Sequence, residues 1–175
     1  NQQSAGVGGE LLSRAFPNSG AQYRTIIATM DERALYRYMK TGVRARFTFK
    51  YFYRKAEKVV VPTDLRIERM DLNTHLEQMN QIDKELVHHT RKDIHEWLIT
   101  MREGFVYRRG DEIIGYGYVG ANHGPFAVLD ENDFPAVLAH AERLMAEKGE
   151  EFGAAVPLIN KKAIDYFIEH KYKID

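Results

Sequence analysis

The spacing of apolar positions changes several times along the chain, and each change predicts an element. Leu11, Leu12, Ala15 and Phe16 fall on one face of a short helix over 9–16, which the turn cluster Pro17-Asn18-Ser19-Gly20 ends. Residues 23–29, YRTIIAT, are β-branched and compact, as suits a buried strand. Asp31 can cap a helix in which Ala34, Leu35, Tyr38 and Met39 recur at helical spacing, with Gly42 as its stop. Over 43–53 the period becomes two. Phe47, Phe49, Tyr51 and Tyr53 alternate with polar and basic side chains, which predicts a strand with its rings on the core and its charges in solvent.

Further elements follow the charged, Pro62-containing stretch at 55–63. They are a strand over 65–70, a helical region over 73–100 broken near His88-His89-Thr90, and a hairpin of 104–109 with 112–119. A short strand over 126–129 precedes a helix over 132–148 that tolerates Pro135 in its first turn. The chain closes on a strand over 151–156, a helix over 160–169 capped by Asn160, and a last strand over 172–174. The reading is an α+β fold with two regions, 1–58 and 64–175, joined by a linker at 59–63.

Composition separates these regions. The 175 residues are formally neutral, yet residues 1–62 carry 11 basic and 4 acidic side chains, leaving 14 and 21 for the remainder. A neutral total gives no general affinity for nucleic acid or an anionic membrane. Without cysteine there is no disulfide and no thiolate metal site, which is compatible with a reducing, cytoplasmic setting. No apolar run approaches the roughly 20 residues of a membrane span.

The two regions also share a pattern. Residues 23–43 and 151–172 each run strand, loop, polar cap, Ala three residues on, and an aromatic four further on. Asp31, Ala34, Tyr38 and Gly42 correspond without a gap to Asn160, Ala163, Phe167 and Lys171. A duplicated unit would leave such a trace, and two amphipathic helices can also match by chance.

The richest stretch for chemistry is Gln3-Ser4-Ala5-Gly6-Val7-Gly8-Gly9, placed directly before an apolar helix. Glycines permit a tight turn and close ligand approach, and the first amides of a helix are unpaired at the positive end of its dipole. Such a turn suits a pyrophosphate, and near a terminus it also suits a flexible tail.

Gln3-x-x-Gly6-x-Gly8 resembles the Gln/Arg-x-x-Gly-x-Gly/Ala signature of the GNAT superfamily of acetyl-CoA-dependent N-acetyltransferases. The segment DERALYRYMKTGV is similar to that family's N-x-x-A…Y-x-x-x-G-F pattern, with Asp31 in place of Asn and Val43 in place of Phe. The resemblance implies a mostly antiparallel sheet flanked by helices, with acetyl-CoA as co-substrate and a small-molecule or peptide amine as acceptor. It implies that Gln3, Ser4, Gly6, Val7, Gly8 and Gly9 hold the pyrophosphate and that Tyr38 protonates the departing thiolate. Residues 64–175 resemble a second unit by element order, with Asp130-Glu131-Asn132-Asp133 where the phosphate turn would stand. Carboxylates there would repel a pyrophosphate, so the resemblance implies a degenerate unit with a structural or acceptor-binding role. It further implies that the first unit is represented by its C-terminal half, as in an internal fragment of a tandem protein, and self-association is compatible with it.

Other signals compete. A non-catalytic acyl-CoA-binding or assembly module would carry the same glycine turn. The basic and aromatic strand over 44–54 could serve nucleic acid, and the expected placement of its rings on the core argues against that. His75, His88, His89 and His95 lack the spacing of a metal site and read as partly exposed histidines.

Overall fold

A computed structural model describes residues 6–16, 20, 25–29 and 31–175. The chain divides into two compact units, Asn1–Arg46 and Phe47–Asp175.

In the first unit, helix α1 (Val7–Ala15) and helix α2 (Glu32–Lys40) are the regular elements among the described residues. The Asp31 carboxylate starts α2 by accepting from the Arg33 and Ala34 amides, both at 2.9 Å, which satisfies two donors that every helix start leaves open. The expected strand over 23–29 is not realised in its described part: 25–29 carry no regular structure and Ile27 is 86% exposed. A β-branched segment becomes a strand only against a pairing neighbour, and none pairs with it among the described residues.

The second unit begins at β1 (Phe49–Lys55), which the sequence reading assigns to the first region. The division falls between Arg46 and Phe47 rather than at 59–63, because β1 is hydrogen-bonded along its length to β6 (Glu151–Pro157) and at Phe52 and Tyr53 to β7 (Lys173–Ile174). These three form an antiparallel sheet in the order β6-β1-β7. A second antiparallel sheet, β2-β3-β4-β5, comprises Arg66–Arg69, Arg102–Arg109, Glu112–Gly120 and Phe126–Val128. Between β2 and β3 run α3 (Leu72–Val87) and α4 (Lys92–Leu98), separated where His88 adopts a left-handed conformation. Helix α5 (Phe134–Lys148) follows β5, and α6 (Lys161–Glu169) joins β6 to β7. This is the mixed α+β architecture the pattern predicts.

Alternation along the strands decides which helix each face meets. Val106, Tyr116 and Tyr118 share a core with Met79 and Ile82 of α3 and Leu98 of α4. Phe105 and Tyr107 point the other way, into a core with α5 and α6 residues such as Leu138, Met145 and Phe167. The four-stranded sheet is therefore sandwiched, and its central strand β4 is buried through Val119.

The three-stranded sheet is different. Phe52 is buried and stacks on Phe167 of α6 at 5.0 Å, and Arg54 reaches Glu142 of α5, so the even face of β1 is the inner one. The ring-bearing odd face is the open one, with Phe49 and Tyr51 about 40% exposed. This reverses the expectation that the rings face the core. Alternation separates two faces without saying which is inward, and here a buried ion pair with one ring, Phe52, claims the helices.

Candidate functional site

Gly6 opens α1 at φ +80°, and its carbonyl accepts from the Gly9 and Glu10 amides at 3.0 and 3.1 Å. No side chain among the described residues caps this start, and the Val7 and Gly8 amides, which have no intrahelical partner, lie at the positive end of the helix. A surface groove of about 480 Å³ runs along the helix, lined by Gly6, Val7, Glu10, Leu11 and Arg14.

A cation stands beside this turn. A Cβ added to Gly8 would lie 3.2 Å from Nη1 of Arg37 on α2, so the guanidinium occupies space that any other residue at position 8 would contest. Tyr38 follows on the same helix, half-buried, and its phenol has no hydrogen-bond partner among the described residues. Gly6, Val7, Gly8 and Gly9 thus form one turn with Arg37 at its flank. Gln3 and Ser4 lie outside the described residues. Two amides without a partner among the described residues, beside a guanidinium, are a donor set that fits a pyrophosphate. Sequence spacing missed Arg37, although a basic residue next to Tyr38 was its available signal.

The corresponding place in the second unit has the opposite chemistry. After β5, Asp130 accepts from the Asn132 amide, and a 3₁₀ turn, Glu131–Asp133, leads into α5. Asp133 is nearly buried and pairs with Arg109 at 2.8 Å, and Arg109 also grips Asp64 on the far side at 2.8 Å. Arg109, the cation that bonds this cluster, is thus held by two carboxylates of the chain itself. Between β5 and β6, where no strand hydrogen bonds form, Phe152 packs on His123 at 5.1 Å and on Phe126 at 6.3 Å. Rings fill this gap and carboxylates stand at its helix start, so the place does not fit a pyrophosphate-bearing ligand.

The second unit also buries several polar groups. His95, expected to be partly exposed, is fully buried: Nε2 donates to Asp83 Oδ2 at 2.8 Å and Nδ1 meets the Tyr118 hydroxyl at 2.7 Å. Asp83 also accepts from Tyr116 at 2.5 Å and from Arg91 at 2.7 Å, and Arg91 touches the Tyr116 hydroxyl. Burial alone would raise the Asp83 carboxyl, and its bonds from His95, Arg91 and Tyr116 overcome this and hold it well below the usual range. A second network joins Glu142 to Arg54 at 2.6 Å, Tyr166 at 2.5 Å and the Glu57 amide at 3.0 Å. There too, burial acts to raise the carboxyl and hydrogen bonds prevail to lower it. His140, on the buried face of α5, bonds the Tyr107 hydroxyl at 3.0 Å, and burial pushes its imidazole down to about 4. Asp83 follows Met79 and Ile82 on the inward face of α3, which was the signal that a carboxylate goes inside.

Neither a family model nor a curated protein matches the chain. Solved structures do share its fold. A proposed acetyltransferase from Pyrococcus horikoshii matches with a TM-score of 0.70 at 18% identity, over 99% of this chain and 58% of that one. A Drosophila protein matches at 0.58 and 15% identity, over 82% of this chain and 54% of that one. A functionally unknown conserved protein from Staphylococcus epidermidis matches at 0.57 and 12% identity, over 85% and 65%. The chain therefore spans little more than half the length of the first two. Among the described residues, no helix is long and apolar enough to cross a membrane.

Proposed function

We propose that this chain belongs to an acetyl-CoA-dependent N-acetyltransferase and carries its pyrophosphate-binding turn. The observation that supports this best is the uncapped, left-handed start of α1 with Arg37 against Gly8. In this reading the Val7 and Gly8 amides and the Arg37 guanidinium hold the co-substrate's pyrophosphate, Gly9 lets the turn come close to it, and Gln3 and Ser4 precede them in the motif. An amine nitrogen attacks the thioester carbonyl, the carbon–sulfur bond breaks, and the Tyr38 phenol donates its proton to the leaving sulfur. The attacking nitrogen gives up one proton in the same turnover, which returns the balance to neutral. The acidic, ring-filled second unit acts in this scheme as a structural or acceptor-binding partner, within a longer tandem protein.

The test is thiol release by the full-length protein with acetyl-CoA and a panel of polyamines, aminoglycosides, amino acids and peptides. Turnover that falls in Tyr38→Phe while acetyl-CoA affinity holds supports the assignment. Unchanged turnover removes Tyr38 from the reaction, and binding without turnover on any amine makes the chain an acyl-CoA-binding module.

A further inference from the structure

We propose that the β6-α6-β7 segment is a strand clamp, a slot that binds one extended segment and is filled by β1, so that the N-terminal part of the chain stays attached through this strand without the covalent link to β2. The inference is independent of the acyl-transfer reading. β6 and β7 each run antiparallel to β1, which makes them parallel to each other, and α6 joins them. They are therefore a split pair, held apart by the width of one strand. Among the described residues neither has another strand partner. Without β1 their facing amides and carbonyls would stand unpaired across the gap. The strand that satisfies them precedes the whole four-stranded sheet in the chain.

The slot selects side chains as well as backbone. On its outer side Gly153 makes room for an aromatic ring: a Cβ there would lie 2.7 Å from the Tyr51 hydroxyl oxygen and 2.6 Å from the Phe52 carbonyl oxygen. On its inner side Phe52 stacks on Phe167 at 5.0 Å, and two residues on Arg54 bonds Glu142 at 2.6 Å with its guanidinium 4.8 Å from the centre of the Tyr172 ring. Glu142 is fully buried, so a segment lacking that cation would leave its charge uncompensated. The clamp thus fits an extended aromatic-Phe-x-Arg segment. Its ends are closed by backbone bonds, from the Leu158 amide to the Thr48 carbonyl at 2.8 Å and from the Ala56 amide to the Glu150 carbonyl at 3.1 Å. At the β7 side Tyr51 and Asp175 exchange two more, at 3.2 and 2.9 Å.

The covalent path from β1 to β2 is a different kind of connection. Residues 56–65 carry no regular structure, and Pro62 and Thr63 are exposed. Such a link adds effective concentration rather than contacts. The test is to insert a site-specific protease sequence between Pro62 and Thr63, cleave the folded chain, and follow it by size exclusion with mass detection at about 10 µM. The two pieces should co-elute as a one-to-one complex, and hydrogen exchange on the cut protein should show amides over 51–54 still protected. The melting temperature should become concentration-dependent only after the cut. Phe52→Ala should weaken the cut complex by at least about 100-fold while the tethered variant stays folded. Where the tethered variant does not fold, exchange on the cut wild type decides. Separation of the wild-type pieces overturns the proposal, as does co-elution in which amides over 51–54 exchange as fast as in a free peptide. A folded Phe52→Ala variant whose cut pieces hold together as tightly as the wild type would overturn it too.

Discussion

Nη1 of Arg37 lies 3.2 Å from the point where a Cβ on Gly8 would stand. A methyl group there is tighter than ordinary van der Waals contact, and the flexible guanidinium is the partner that can give way. Gly8→Ala also removes a glycine from a helix, which favours α1 by up to ~1 kcal/mol. The variant should therefore be at least as stable as the wild type and bind acetyl-CoA several-fold more weakly. Thermal melting beside calorimetric titration separates the two effects.

The Asp83 network predicts a large stability loss from a nearly isosteric change. Asp83→Asn leaves Arg91 and His95 without their anion in a buried site, which costs about 3–5 kcal/mol. Urea denaturation at pH 7 measures it. An effect below about 1 kcal/mol would mean that α4 is held by its apolar contacts alone.

Acid should act on this fold in two stages. His140 is held down to about 4 by burial, so the unfolded chain binds its proton first, and the stability tied to neutral His140 is lost as pH falls from about 6.5 towards 4. Asp83 and Glu142 are both held below their ordinary values, so their contribution is intact above about pH 4 and is lost below it. Chemical denaturation between pH 3 and 7 should show both limbs. His140→Gln should shrink the upper limb, leaving the part due to His123, whose imidazole burial also lowers, and should leave the lower limb unchanged.

Phe167 occupies the position in α6 that Tyr38 occupies in α2, and its ring is fully buried against Phe52. Phe167→Tyr would bury a hydroxyl among rings and should destabilise the protein by about 1–3 kcal/mol without supplying a second acid. Phe167→Ala should cost about 3–5 kcal/mol through the cavity it leaves. Denaturant midpoints for both variants check the order.

Where a local signal was complete, the sequence disclosed the structure. The matched helices show it at both ends: Asn160 accepts from the Ala163 amide as Asp31 does from Ala34, and Gly42 and Lys171 both take positive φ, at 88° and 58°. Pro135 in the first turn of α5 and the His88 break between α3 and α4 were equally readable, because each depends on a few adjacent residues. Features set by distant partners were not. Which face of β1 is inward depends on Glu142, far away in sequence, and His95 is buried because Asp83 and Tyr118 converge on it. Arg37 was passed over for the same reason: its closeness to Gly8 is a tertiary contact, whereas the glycine turn is a local one.

Calorimetric titration of acetyl-CoA into the wild-type chain and into Arg37→Ala shows whether the turn and its guanidinium hold a pyrophosphate. Saturable one-to-one binding is expected, weakening with salt and falling about 10- to 100-fold in the variant, the worth of a charge-assisted contact to phosphate. No binding by the wild type, or equal affinity in Arg37→Ala, would contradict it.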